Sequence, residues 1–269
     1  MTILGIDISH WSNLADYPVD LKEQGYDFLI WKSTEGSHYV DSTFPRVLPA
    51  AYGDVLFAAF HYMDDSNVDD QVTLINQTVP AEVPVIIDME KGSLGTAVAI
   101  HQKLQATGRI TPFFYLPHWY WEQIGKPDIS HLPPLWASSW VDGNDYGSRL
   151  YEKVAIKRWE GYGGSSVGML QFTSTGKLDG ITGYVDISAC PVDRETLAVH
   201  LRHVQTTIPP APKAPAVIRY TVRKGDTLTS IAREFHSTVS VIYAANHGTI
   251  GSNPDRIFPG MVLSIQPVR

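Results

Sequence analysis

Two carboxylates stand at the end of an apolar run: Val83-Pro84-Val85-Ile86-Ile87 leads directly into Asp88-Met89-Glu90. Side chains alternate faces along a strand, so Asp88 and Glu90 project to one side with Cα atoms about 6–7 Å apart. Two carboxyls that close resist double ionisation, and an apolar floor penalises charge further, so one pKa rises. A general acid working at neutral pH needs that condition. Asp-x-Glu alone arises often by chance and by itself reads as a solvated loop start. Two further aspartates change the balance. Asp7 closes the first apolar run, in Gly5-Ile6-Asp7-Ile8, and Asp186 is expected to end the last, in Tyr184-Val185-Asp186-Ile187. In isolation each would be a turn or capping group. Trp11, Tyr62, Tyr115, Trp119, Trp136 and Trp140 fall near these acids. A cleft that combines rings with carboxylates suits a carbohydrate, whose apolar faces stack while its hydroxyls hydrogen-bond. Trp31 and Trp159 are expected in the core instead.

The elements that must position these groups are short. Apolar runs at Ile3–Ile8, Phe28–Trp31, Val55–Tyr62, Val83–Met89, Pro112–Leu116, Pro134–Ser138, Ala155–Trp159 and Val167–Phe172 read as buried strands. Amphipathic stretches at Thr43–Ala51 and Thr96–Thr107 read as helices, the second with Ala97, Ile100 and Leu104 on one face. Alternating strand and helix implies parallel strands with crossovers, and about eight strands over ~200 residues suit a closed α/β barrel. Active sites of such barrels gather at the C-terminal strand ends, where four acids from three strands would meet. After Pro127 the helical signal fades, which predicts a barrel missing some of its helices.

The chain has 269 residues, 43% of them hydrophobic and 18% charged, enough to build a core and too apolar for disorder. No apolar run approaches the ~18 residues of a membrane span. A single cysteine, Cys190, excludes an internal disulfide framework and a multi-cysteine zinc site. Four prolines in residues 206–216 predict an extended linker between a domain of residues 1–205 and one of 217–269. The first holds 14 basic and 25 acidic groups and all seven tryptophans; the second holds 6 and 3. An acidic major domain argues against nucleic acid as a partner.

Residues 3–190 resemble glycoside hydrolase family 25, the muramidases that cut peptidoglycan glycan. The resemblance is carried by Gly5-Ile6-Asp7-Ile8-Ser9, Trp31-Lys32-Ser33-Thr34-Glu35-Gly36, Phe60-His61-Tyr62, Asp88-Met89-Glu90, Phe114-Tyr115, Leu135-Trp136, Leu170-Gln171-Phe172 and Val185-Asp186-Ile187-Ser188. It differs at Leu170 and Phe172, where the family commonly has Trp and Tyr. The resemblance implies a flattened (β/α) barrel with helices missing; no cofactor is expected, and no metal, since the residues hold no metal-ligand pattern. It implies Glu90 as the acid on the leaving oxygen. Asp88 then either orients the substrate's acetamido group for attack or acts as nucleophile, and Asp7 and Asp186 bind substrate or hold the pair. Tyr62, Tyr115, Trp119, Trp136, Trp140 and Gln171 are the implied substrate contacts.

In the second domain, Arg219–Arg223 alternates as a strand with Tyr220 and Val222 on one face. A helix follows with Leu228, Ile231, Ala232 and Phe235 inward, capped by Asp226 or Thr227. A second helix over Thr238–Asn246 turns Val239, Ile242 and Tyr243 inward, and Met261, Leu263 and Ile265 form a closing strand. This small βααβ unit, with Tyr220-Thr221-Val222-Arg223-Lys224-Gly225-Asp226-Thr227-Leu228 and Ile257-Phe258-Pro259-Gly260-Met261-Val262-Leu263, resembles a LysM domain. The resemblance implies a groove for N-acetylglucosamine-containing glycan, with Gly225, Asp226, Thr227 and Leu228 facing Asp255, Ile257 and Pro259. Leu228 and Ile257 serve equally well as core.

Together these readings give a muramidase anchored to bacterial peptidoglycan, without membrane insertion. The start of the sequence lacks the basic and apolar regions of a secretory signal. That leads to the expectation of a phage endolysin, held in the host cytoplasm until a holin-type pore releases it to the wall. A chitinase and a non-catalytic wall-binding protein are the competing readings. Three other signals are set aside. The glycine-rich stretch 161–168 precedes a strand rather than opening a helix, His200 and His203 have no acidic partners, and Cys190 is expected as a half-buried spectator.

Overall fold

In β1 (Ile3–Ile8), Leu4, Ile6 and Ile8 alternate with Ile3, Gly5 and Asp7, and the two series face different surroundings. The same division runs through the strands that follow: β2 (Phe28–Glu35), β3 (Tyr39–Val40), β4 (Leu56–Tyr62), β5 (Val85–Asp88), β6 (Phe114–Tyr115), β7 (Leu135–Ser138), β8 (Val167–Gly176) and β9 (Val185–Cys190). These form one sheet in the order β1-β9-β8-β7-β6-β5-β4-β2-β3, which pairing of β1 with β2 closes into an eight-stranded barrel. Strand β3 is the hairpin partner of β2 alone. The protein's structure, a computed structural model, describes residues 1–12, 14, 19–45, 48, 52–201, 218–235, 237, 239–250 and 256–265. Contacts divide the chain into units at residues 1–206 and 207–269, and the expected linker lies outside the described residues.

Seven barrel strands run parallel, from β1 to β8, whereas β9 is antiparallel to both its neighbours. Inside the barrel, Ile3, Phe28, Ile30, Leu56, Ala58, Ile86, Met169 and Cys190 pack together at the N-terminal end of the parallel strands. Leu197 and Leu201, from α5 (Arg194–His200) and its end, join this cluster and plug that end. Burying each of the Ile, Leu, Phe and Met side chains among them contributes about 1.5–3 kcal/mol. Gly5 is needed there. It pairs with Phe28, and a Cβ at Gly5 would lie 2.1 Å from the Phe28 ring.

The outward series carries a shell of helices. Val72 and Ile75 of α1 (Val68–Thr78) and Ala97, Ile100 and Leu104 of α2 (Leu94–Ala106) cover Val85, Ile87 and Met89. Asn67 caps α1 through the amides of Asp69 and Asp70, and Ser93 caps α2 through that of Thr96. Beyond β6 the shell thins to α3 (His118–Gln123) and α4 (Gly147–Tyr151), and no helix separates β8 from β9 among the described residues. The expected fading of crossover helices is thus present.

Three expectations are corrected. Ala155–Trp159 is not a strand: Ile156–Trp159 forms a 3₁₀ turn, with Ile156 89% exposed and Trp159 half-buried against the core. Both edges of β8 are already taken by β7 and β9, so no ladder position remains for it. Asp186 does not end its strand but stands second in β9. Of the helix expected over 43–51, Thr43–Pro45 are turn and coil, and residues 46, 47 and 49–51 lie outside the described residues.

The second unit pairs β10 (Ile218–Thr221) with β11 (Val262–Ile265), antiparallel, around α6 (Leu228–Glu234), α7 (Val239–Ala245) and α8 (His247–Ile250). Thr227 is the cap of α6, in a reciprocal box with Ser230. Asp226 instead ties the turn, accepting from Tyr220 Oη at 2.7 Å and the Arg223 amide at 2.7 Å. Val239, expected inward, is 36% exposed, because Ile242 and Tyr243 fill the core side. Asn246 does more than close a helix. Its amide donates to Ile242 and Ser264 carbonyls and accepts from the Ser264 amide, pinning α7 to β11.

Candidate active site

Followed upward from the plugged end, the inward series turns polar in five of the parallel strands, β1, β2, β5, β7 and β8. Ile3 and Gly5 lead to Asp7, Phe28 and Ile30 to Lys32, Ile86 to Asp88 and on to Glu90, Trp136 to Ser138, and Met169 to Gln171. Strand β9 enters from the opposite direction, so its polar residues come first, Asp186 and Ser188 ahead of Cys190. Asp186 is the register partner of Asp7, which is how an early residue of an antiparallel strand reaches the same mouth. The four acids Asp7, Asp88, Glu90 and Asp186 all line one cleft of about 470 Å³, with Phe60, Tyr115, Trp119, Trp136, Ser138, Trp140, Gln171 and Ser174.

The two pairs of acids are held differently. Asp7 is buried, accepts from Gln171 Nε2 at 2.9 Å and Ser188 Oγ at 3.4 Å, and lies within hydrogen-bonding reach of Asp186. Burial, then the Asp186 charge, pushes the Asp7 carboxyl well above its usual range. Burial and the Glu90 charge raise Asp186 to about 6. Asp88 is also buried and raised, first by desolvation and then by Glu90, yet its Oδ1 has no hydrogen-bond partner. Burial raises Glu90, against the opposing pull of the Lys32 cation. Lys32 is itself buried and fixed by Glu35 at 2.7 Å. One buried cation beside four carboxyls offsets only part of their charge, and the cluster as a whole is biased toward holding protons.

The aromatic residues divide by exposure. Trp119 and Trp140 are 53% and 57% exposed on the cleft, free to present ring faces. Tyr115 and Trp136 are buried, edge to face with centroids 4.8 Å apart, and form its floor. Gln171 lines the cleft with both polar atoms of its amide bonded. It accepts from Tyr115 Oη at 3.2 Å and Trp140 Nε1 at 3.1 Å and donates to Asp7. Tyr62 is half-buried beside the cleft wall, its ring 4.8 Å from both Lys32 Nζ and Lys91 Nζ; burial and the Glu90 charge push its hydroxyl up to about 12. Trp11 is not part of the cleft lining. Cys190 is fully rather than half-buried, held by the Gly168 carbonyl at 3.3 Å.

Reading for acids and rings alone missed Lys32, Ser138 and Ser188. Their signal was parity: each lies two residues from an inward-facing neighbour, at the polar end of its strand. Among the described residues no group of three His, Cys, Asp or Glu is placed to hold a metal ion. In the second unit, Gly225, Asp226 and Thr227 follow β10, and Ile257 and Pro259 precede β11. The Thr221–Val262 pairing puts the two loops at one end of the ladder. Leu228 is buried and Ile257 packs against the core, while Asp255 lies outside the described residues.

Residues 6–181 match the model of the glycosyl hydrolases family 25, and residues 220–266 match that of the LysM domain. Among solved structures, the chain is similar to the bacterial lysozyme from Streptomyces coelicolor, at 19% identity and TM-score 0.56 over 75% of this chain and 97% of that one. It is similar to a family GH25 lysozyme from Aspergillus fumigatus, at 18% and 0.55 over 75% and 99%. The muramidase from Acremonium alcalophilum gives 17% and 0.55 over 75% and 99%. At these identities the likeness is one of fold. No curated protein matches the sequence.

Proposed function

The chain belongs to the glycosyl hydrolases family 25 and carries a C-terminal LysM domain, and we propose that it is a muramidase. The bond cut is the β-1,4 link from N-acetylmuramic acid to N-acetylglucosamine in peptidoglycan, with the LysM domain holding the enzyme to the wall. One observation carries this reading: four carboxyls whose protonation is favoured by burial converge on an aromatic-walled cleft.

Glu90 gives its proton to the glycosidic oxygen as the bond from that oxygen to the anomeric carbon breaks. Asp88 Oδ1, buried without a partner, accepts the acetamido N–H and turns the acetamido carbonyl oxygen toward the anomeric carbon. That oxygen closes a ring on the carbon. Water then opens it, giving its proton to the Glu90 carboxylate and restoring the acid. The negative field of the aspartates stabilises the cationic transition state. Asp7, Asp186 and Gln171 form the network that holds the mouth in shape, and Trp119 and Trp140 offer faces to sugars. Through the second unit, Gly225, Asp226, Thr227, Asp255 and Pro259 contact glycan and keep the catalyst concentrated at an insoluble polymer.

The test is digestion of purified peptidoglycan with identification of the new reducing ends. Muramic acid ends are expected; glucosamine ends or released amines alone would overturn the bond assignment, and turnover of chitin oligomers at an equal rate would favour a chitinase. We assign the enzyme to the phage endolysins, which reach the wall from inside the cell. Cells expressing it alone then stay intact and lyse once the membrane is permeabilised, whereas lysis on expression alone would mark a self-exported autolysin.

A further inference from the structure

Trp11 is 83% exposed, against 2% for Trp31 and Trp136. It nevertheless sits on a fixed support. Its ring lies 4.4 Å from the His10 ring, and His10 Nδ1 is 2.8 Å from Asp41 Oδ2, while the His10 amide donates to the same oxygen at 3.0 Å. Asp41 is buried and further tied by Thr43 Oγ1 at 2.6 Å, which itself accepts from Trp31 Nε1 in the core. Tyr39 Oη completes the support, 3.1 Å from His10 Nδ1. The turn bearing Trp11 is closed by the Ser12 amide on the Ser9 carbonyl and by the Trp11 amide on Ser9 Oγ. The chain of bonds fixes His10 and the Trp11 backbone, so a large apolar ring is carried out into water on a support that is ordered before anything binds it.

Its place in the fold gives its ligand. Trp11 follows Asp7 by four residues, just beyond the end of β1 that opens on the cleft. The His10 ring lies 5.8 Å from that of Tyr39, Tyr39 lies 5.7 Å from Lys32 Nζ, and Lys32 Nζ lies 4.8 Å from the Tyr62 ring, so a continuous run of contacts leads from Trp11 toward the acids. We infer that Trp11, backed by His10 and Tyr39, is an outer subsite that stacks an N-acetylhexosamine ring of the same glycan strand, beyond the two sugars whose link is cut. This rests on the cleft being a glycan-cleaving site. A linear polymer leaving the mouth over β1 passes this platform, and the Tyr39 hydroxyl at its edge serves sugar hydroxyls.

The experiment compares kcat/KM of the full chain on the peptide-free disaccharide of N-acetylmuramic acid and N-acetylglucosamine, which holds only the two sugars of the cut link, and on long peptide-free glycan, for the wild type, Trp11→Ala and Trp11→Tyr. The ratio of the two constants is independent of the fraction of molecules folded, and LysM binding affects wild type and variants alike. Trp11→Ala is expected to lower the long-to-short ratio about fivefold to tenfold, the loss of one stacking contact, with Trp11→Tyr restoring most of it. An unchanged ratio in Trp11→Ala would overturn the subsite, whether activity falls on both substrates or on neither. A wild type that cleaves neither glycan would instead overturn the proposed function itself.

Discussion

The two ends of the barrel interior are made by the same strands in the same parity, yet they obey opposite rules. At the plugged end Phe28, Ile86, Met169 and Leu197 fill the space with apolar groups. At the open end the next inward positions are Asp7, Lys32, Asp88 and Gln171, of which Asp7 and Asp88 are buried with their pKa values raised. The first end supplies stability. The second spends some of it, since carboxyls raised by burial oppose folding whenever they must ionise.

Substitutions at the two ends should therefore separate activity from stability. The largest effect is expected from Glu90→Gln, which removes the transferable proton and should lower turnover about 10²- to 10⁴-fold. Its thermal midpoint should not fall, and a calorimetric scan beside the turnover assay checks both. Phe28→Ala, at the other end, should destabilise by about 3–5 kcal/mol through the cavity it leaves, measured by denaturant titration. Asp186→Asn should invert that pattern. The wild-type carboxyl is raised to about 6 from an ordinary 3.8, so it favours folding fully below pH 3.8 and loses that contribution as pH rises through 6. The amide has no such loss. The variant should thus gain on the order of 2 kcal/mol relative to wild type at pH 8, fading toward pH 4, while turnover falls. Denaturant curves at both pH values test the sign. The smallest shift is expected from Lys32→Met. Removing the cation that holds Glu90 and Asp88 down should move the alkaline limb of the kcat/KM profile to higher pH. An unmoved limb would detach Lys32 from the acid.

Much of this was legible from residue order. Strands β1, β4, β5, β7 and β8 followed from apolar runs, Ala97, Ile100 and Leu104 from helical spacing, and the meeting of Asp7 with Asp88 and Glu90 from a barrel's common mouth. What escaped depended on partners distant in sequence. Asp186 is expected at the mouth, but as the last residue of its strand; it stands second because β9 runs backwards against β1, and the direction of a strand leaves no trace in its own composition. The run 155–159 has the residues of a strand but no free edge to join. Lys32 passes for an ordinary charge until its parity with Ile30 puts it inside. Asn246 resembles a helix terminator, and its bonds to Ser264 arise from a strand eighteen residues on.

The central claim is that Glu90 enters the reaction carrying its proton, and direct titration of that carboxyl tests it most simply. Carbon-13 NMR of side-chain-labelled glutamate, with Glu90→Gln identifying the resonance, follows its ionisation without recourse to rates. The account predicts a midpoint above 4.5, the ordinary value for glutamate, coinciding with the alkaline limb of the free enzyme's kcat/KM. A midpoint at or below 4.5, with activity persisting at neutral pH, would contradict it.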